Sequence, residues 1–230
     1  MDDLGDRMKK YEKAWSNNLP PNSWVVMRLD GRAFHTWTRR ARKPFDDRVI
    51  ESMRHATGRL AEEIPGFKIG YTQSDEATIV FTDTDNYNSE LWFGGKIQKI
   101  VSVAASSFTS YFTQYHSLFE EPVNMKSPTF DCRVFSMPKD DVPNIIFWRQ
   151  KDWERNSLQM YARSIFSHKD LFNKNASQIH EMLHIKGFNW ADLENIYKNG
   201  SLLYNDFGFK KWTYEKENYF SLYATMTNDE

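Results

Sequence analysis

Two acidic spots carry the chemistry that matters most in this chain: Asp30, in Leu29-Asp30-Gly31-Arg32, and Asp75-Glu76, in Gln73-Ser74-Asp75-Glu76. Each adjoins an apolar run that reads as a β-strand. Carboxylates presented side by side at strand ends are a seat for hard divalent cations. Mg²⁺ is held by one or two carboxylates together with substrate phosphates and water, and a pair of such ions can grip both the attacking and the leaving oxygen of a nucleotidyl transfer. Taken singly, either aspartate could simply end a strand beside a turn. Together they point to metal-dependent nucleotide chemistry. Asp30 and Asp75 are the expected ligands, and Gly31 can add its backbone carbonyl because no Cβ blocks close approach. Glu76 is counted with the catalytic acids. Strand alternation, however, turns it to the opposite face from Asp75, which suits a supporting group better than a ligand.

Triphosphate chemistry also needs positive charge. Lys43, Lys96, Lys99 and Arg133 are the candidates, the arginine being suited to bidentate phosphate contact, with Ser74 and Asn156 as hydrogen-bond donors. Each lysine taken alone reads equally well as a solvated surface charge. Arg39-Arg40-Ala41-Arg42-Lys43 packs four positive charges into five residues. Arg39, Arg40 and Arg42 are therefore the expected contacts to a nucleic-acid backbone. His35 can sit over a base or phosphate, or be an ordinary half-buried histidine. His180-Glu181-Met182-Leu183-His184 matches a zinc-protease pattern, but no third ligand is evident and the segment reads as a helix surface.

The elements that must position these groups follow from periodicity. Residues 6–16 read as a short helix. Trp24 to Leu29 is nearly continuous apolar chain, a strand buried on both faces. Phe45 to Ile64 has helical spacing at Val49, Met53, Ala56 and Leu60, stopped by Pro65-Gly66. Phe67, Ile69 and Tyr71, then Ala77, Ile79 and Phe81, alternate as a hairpin with the acidic pair at or just after its turn. Leu91 to Tyr115 is a long helix, Phe130 to Met137 a fourth strand, and Asn144 to Phe166 a helix. Shorter helices run to about residue 200, and the tail from Tyr204 has no clear pattern. The resulting βαββαβ order is that of ferredoxin-like folds. The expectation is an α+β, palm-like antiparallel sheet with flanking helices: a catalytic core over 1–140 and a helical C-terminal region over 141–230, packed on it.

Composition sets outer bounds. The chain has 230 residues, 40% of them hydrophobic, enough to bury a sizeable core, and its net charge of -1 excludes a uniformly basic nucleic-acid binder but not a local basic face. The single cysteine, Cys132, can form no internal disulfide, which suits a reducing, cytoplasmic setting. No run of about 18 apolar residues exists to span a membrane. Met1 to Arg7 is polar and acidic, unlike a secretory leader.

The motifs, taken in order, resemble the tRNA-histidine guanylyltransferase family of 3′-to-5′ polymerases, most closely its guanylyltransferase-like branch. The segments that carry the resemblance are Leu4-Gly5-Asp6-Arg7-Met8-Lys9 with Tyr11-Glu12; Arg28-Leu29-Asp30-Gly31-Arg32 with Phe34-His35; Lys43-Pro44-Phe45-Asp46; Gly70-Tyr71-Thr72-Gln73-Ser74-Asp75-Glu76; Phe93-Gly94-Gly95-Lys96 with Lys99; Phe130-Asp131-Cys132-Arg133; and Trp148-Arg149-Gln150 with Asp152. The resemblance implies a palm-like core with two Mg²⁺ ions on Asp30, Asp75 and the Gly31 carbonyl. It implies triphosphate contacts from Lys43, Ser74, Lys96, Arg133 and Asn156, with Phe34-His35 near the incoming nucleotide; Arg32 and Lys99 are counted with these nucleotide-binding residues. It further implies activation of a 5′-phosphorylated tRNA by ATP or GTP, addition at the 5′ end, and a homotetramer. Where the histidine-specific eukaryotic enzymes carry a His-Ile-Asn-Asn segment, this chain has Glu154-Arg155-Asn156-Ser157. The histidine is missing, as in the branch that repairs truncated tRNA 5′ ends. The expected function is therefore template-dependent tRNA 5′-end repair. The alternatives are guanylyl addition confined to tRNA-histidine, a nucleotide cyclase on the same palm, and a non-catalytic RNA-binding palm.

Overall fold

The computed structural model describes residues 3–206 and 209–214. In chain order the named elements are α1 (Leu4–Ala14), β1 (Trp24–Gly31), a short α2 (Phe34–Trp37), α3 (Asp47–Glu63), β2 (Phe67–Gln73), β3 (Glu76–Thr82), α4 (Ile97–His116), β4 (Phe130–Met137), α5 (Val142–Arg163), α6 (His168–Leu171), α7 (Ala176–Ile185), α8 (Asn195–Asn199), β5 (Ser201–Asp206) and β6 (Phe209–Thr213). The six strands form one sheet in the order β4-β1-β3-β2-β5-β6, with every neighbouring pair antiparallel.

β1 is the spine. Trp24, Val25, Val26, Met27 and Leu29 are all buried, and the strand lies between two neighbours, as a two-sided apolar run requires. Val25, Met27 and Leu29 face the main core, against α3 (Val49, Met53, Ala56, Leu60) and α4 (Ile100, Ala104, Phe108, Phe112). Trp24 and Val26 face the other side and meet Val142, Ile145 and Ile146 of α5. A period of two then puts Arg28 and Asp30 on the α5 side. The second half of α5 joins α6 and α7 in a separate small cluster around Leu158, Ala162, Ile179 and Leu183.

Three features depart from the pattern in the sequence. Phe67 packs in the main core whereas Ile69 and Tyr71 face the other side, because the β2–β3 register slips between Phe67 and Ile69 and a bulge reverses side-chain phase. The helix expected from Leu91 begins at Ile97, since Phe93 and Gly94 take left-handed backbone angles (φ 53° and 60°) ahead of it. β5 and β6 extend the sheet beyond β2, so Ser201–Asp206 and Phe209–Thr213, in the region left unassigned by pattern and grouped with a helical region, are strands. Residues 215–230, the rest of that tail, lie outside the described residues.

Candidate active site

The site forms where β1 ends and the β2–β3 hairpin turns. Ser74 and Asp75 are the two turn residues, flanked by the paired Gln73 and Glu76. Ser74 is held in the left-handed region (φ 49°), a conformation uncommon outside glycine and often found at functional turns. The turn lies against the end of β1: the Gly31 N–H donates to the Asp75 carbonyl at 3.1 Å. That approach is why residue 31 is glycine. A Cβ there would lie 2.4 Å from the Phe34 ring and 3.0 Å from the Asp75 Cβ.

Asp30 and Asp75 are therefore brought together. Burial pushes the Asp75 carboxyl up to about 6; its Ser74 and backbone hydrogen bonds pull the other way, and the Asp30 charge adds to the rise. Asp30 is also raised, first by burial, then by Glu76 and Asp131, against the pull of Arg133 and Arg28. The Arg133 guanidinium is 4.0 Å from Asp30 and 3.5 Å from Asp131. The Ser74 hydroxyl donates to Asp75 at 2.9 Å. Two raised carboxyls with no closer cation describe negative charge that lacks compensation. The donors are hard oxygens of the kind Mg²⁺ takes. Among the described residues no group of three or more His, Cys, Asp or Glu is placed to hold a metal, so the donor set stops at the two carboxylates and the Gly31 carbonyl. That set fits a cation completed by substrate phosphates and water.

Glu76 shares the sheet face of Asp30 but is engaged by other partners. It lies opposite Asp30 in the strand register, but its carboxylate is taken by Arg28 at 3.3 Å, Arg149 at 2.5 Å and the Gln73 amide at 3.0 Å. It is a held group, not a free acid.

A cleft of about 570 Å³ opens beside Asp75. It is lined by Gly31, by Ala33 to His35, by Ala41 to Asp46, by Ser74 and Asp75, by Trp153, Met160 and Arg163 of α5, and by Ser164 just after it. Its size is that of a small-ligand site. His35, Lys43 and Ser74, expected at the nucleotide, line it, and so does Arg42, which was expected at a nucleic-acid backbone. Phe34 contributes only a floor, for its ring is 4% exposed and packs on Trp37, Phe112 and Phe130. Arg39 and Arg40 are exposed on the turn between Thr38 and Ala41, both of which line the cleft. Arg32 is exposed outside the lining. Asn156 stands on α5 between Trp153 and Met160, its amide 3.4 Å from Asp152.

Lys96 and Lys99 do not join this cluster. They flank the start of α4, with Lys99 over the Phe93 ring. It is the far end of α4, at Phe112, that meets Phe34. Sixteen residues of helix separate Lys96 from Phe112, about 24 Å at 1.5 Å per residue. The family pattern placed Lys96 near the triphosphate, and Lys99 was counted with it, but both stand at the end of α4 away from Phe112 and Phe34. His180 and His184 are exposed on α7.

Residue types alone did not single out the aromatic wall. Phe45 packs edge-on against Trp153 (6.1 Å) and stacks on Tyr197 (4.8 Å). Nor did they single out the Asp46–Arg48 pair at the start of α3 (2.6 Å) or Arg149 and Arg163. A signal existed: Arg149, Trp153, Asn156, Met160 and Arg163 recur at spacings of four and three, one face of a helix.

A sheet of this topology, with two carboxylates converging at the end of its central strand beside a basic, nucleotide-sized cleft, is that of the palm-type nucleotidyltransferases. The family model described as tRNAHis guanylyltransferase matches residues 5–138, and the chain belongs to that family. A bacterial tRNA(His) guanylyltransferase-like protein solved in complex with ATP is 37% identical, with a TM-score of 0.85 over 92% of this chain and 90% of that one. A bacterial guanylyltransferase-like protein in complex with GTP is 33% identical, with a TM-score of 0.82 over 96% of this chain and 98% of that one. A probable tRNA(His) guanylyltransferase of Mus musculus is 34% identical over 67% of this chain, a match spanning 54% of that relative's length. Among the described residues no helix is long and apolar enough to cross a membrane.

Proposed function

We propose that this chain is a tRNA 5′-end nucleotidyltransferase that activates a 5′-phosphorylated tRNA with ATP or GTP and then adds nucleotides, templated by the opposite strand, to repair a shortened 5′ end. The observation that carries the reading is the convergence of Asp30 and Asp75 beside a cleft whose lining includes Arg42, Lys43 and Arg163. The ATP- and GTP-bound relatives support it, since their folds superpose along nearly the whole chain.

Asp30, Asp75 and the Gly31 carbonyl would hold Mg²⁺, which when bound neutralises phosphate charge and orients the reacting oxygens. The rest falls to the side chains. Lys43 and Arg42 attract the triphosphate, and Ser74, at the turn, donates to a phosphate oxygen once its hydroxyl leaves Asp75. Arg133, 60% exposed beside Asp30, offers a planar fork to a phosphate on the open face of the sheet. Phe45 and Trp153 give the cleft an apolar wall where a base or ribose can shed water. The 3′-hydroxyl oxygen of the incoming nucleotide attacks the activated 5′ phosphorus of the RNA and gives up its proton to solvent, a new P–O bond replaces the bond to the activating group, and that group leaves with the electron pair. Arg39 and Arg40, at the cleft mouth, steer the RNA backbone. Lys96 and Lys99, too distant to serve their own cleft, would serve RNA or a neighbouring subunit in the homotetramer that the family resemblance implies.

The test is a 5′-extension assay with each NTP in turn, comparing full-length tRNA-histidine with several 5′-truncated tRNAs. Mg²⁺-dependent, template-matched extension of the truncated set is expected. Addition confined to one guanylate on tRNA-histidine would establish the histidine-specific alternative. No addition to any tRNA by folded protein would leave only RNA binding.

A further inference from the structure

Glu76 is the first residue after the turn that carries Asp75, directly opposite Asp30 in the β1–β3 register. A third carboxylate so close to two others must be either a ligand or restrained. Here it is restrained from both sides. Arg28, two residues before Asp30 on the same strand face, approaches at 3.3 Å, and Arg149 of α5 at 2.5 Å. The Arg149 side chain is only 5% exposed. Its guanidinium also binds Asp152 at 2.9 Å and lies on the Trp148 ring at 4.5 Å, while the same ring receives Arg28 at 5.3 Å. Asp152 in turn holds Arg155 and, at 3.4 Å, Asn156. A guanidinium this dry, with its Nε buried and unpartnered, is costly to keep, so its geometry is specified by its partners.

The chain of pairs runs from β1 through Glu76 to the helix that carries Trp153, Asn156, Met160 and Arg163. These flank the cleft: one wall bears Asp75, with Asp30 beside it at the end of β1, and the other bears Trp153, Met160 and Arg163. We propose that Arg149 is a positioning residue. By gripping Glu76 it fixes the Ser74–Asp75 turn against α5, sets the distance between the metal-binding wall and the substrate-binding wall, and keeps Glu76 from competing for the cation. The inference deepens the function proposed above and rests on it.

The test uses the full chain and the variants Arg149→Lys, Arg149→Gln, Glu76→Gln and the double variant Arg149→Gln/Glu76→Gln. Each is measured for affinity to Mg²⁺·GTP by calorimetry, for kcat and KM in 5′ addition, and for thermal melting. Arg149→Lys keeps the charge but loses the fork. It should melt near wild type and bind Mg²⁺·GTP at least about tenfold more weakly, the effect typical of removing a group that orients metal ligands. The double variant removes both charges of the Glu76–Arg149 pair together and leaves Arg28 over the Trp148 ring. It should fold where Arg149→Gln does not, and show the same binding defect. Wild-type affinity in Arg149→Lys, or recovered affinity in the double variant, would show that Arg149 merely neutralises Glu76 and would overturn the proposal. Binding is read apart from addition. A wild-type chain that binds Mg²⁺·GTP but extends no tRNA would sink the proposed function and leave the Arg149 result standing; one that binds none would overturn both.

Discussion

Asp75→Asn tests the electrostatics of the site where they are strongest. In the metal-free protein burial raises the Asp75 carboxyl from 3.8 to about 6. An acid whose folded value lies above its unfolded value binds its proton more tightly when folded. Its cost to stability is therefore absent below about pH 4, grows as pH rises through 4 to 6, and is complete at pH 7. The shift corresponds to about 3 kcal/mol at most, at about 1.4 kcal/mol per unit, and the partial exposure of the turn lowers it to about 1–2 kcal/mol. Asparagine fills the same space, can still accept the Ser74 hydrogen bond and carries no charge. Metal-free Asp75→Asn should thus be more stable than wild type by about 1–2 kcal/mol at pH 7 and equal to it at pH 4, read by urea unfolding. The same proton governs the cation. Mg²⁺ needs the ionised carboxylate, and the ionised fraction falls from about nine-tenths at pH 7 to about one-tenth at pH 5. Wild-type affinity should drop about tenfold over that span, with proton release on binding near pH 6, and Mg²⁺ should stabilise wild type but not the variant. A variant no more stable than wild type at pH 7, or an advantage equally large at pH 4, would refute the reasoning.

Three further outcomes follow from the same geometry. Gly31→Ala must move the Phe34 ring or the Asp75 turn, since its Cβ would fall 2.4 and 3.0 Å from them; unfolding should show a loss of about 1–3 kcal/mol, with weakened Mg²⁺ binding in calorimetry. Asp46→Ala removes the N-cap of α3 and strips Arg48 of bonds at 2.9 and 2.6 Å, costing about 3 kcal/mol at pH 7. Burial pushes Asp46 up, but the Arg48 hydrogen bonds outweigh it and the net shift is downward, so the gap to wild type should narrow as pH falls below about 4. Lys43→Ala should raise the KM for the nucleotide about tenfold or more, whereas Lys96→Ala should leave nucleotide affinity of a single subunit unchanged and alter only RNA binding, as gel-shift and calorimetric titrations would separate.

What could be read in advance was whatever depends on neighbours in sequence. The two-sided burial of Trp24 to Leu29, the α3 stripe of Val49, Met53, Ala56 and Leu60, and the hairpin that delivers Asp75 are all periodicities, and the structure shows them at those residues. What could not be read depends on partners far along the chain. The slip between Phe67 and Ile69 arises from pairing with β3, not from any local signal. β5 is six residues long and is a strand because β2 has a free edge. The ion pair between Glu76 and Arg149 joins a hairpin to a helix after two intervening elements, and neither residue type reveals the other. Lys96 shows the converse: the family pattern assigned it a chemical partner, while the length of α4 decides what it can reach.

The central claim is that Asp30, Asp75 and the Gly31 carbonyl hold the two expected Mg²⁺ ions against a nucleotide in the adjoining cleft. A crystal of the chain with Mn²⁺ and GTP, examined by anomalous scattering, tests it directly. The account predicts manganese between the two carboxylates with the triphosphate toward Lys43 and Ser74. Manganese bound elsewhere, or bound without either aspartate, would contradict it.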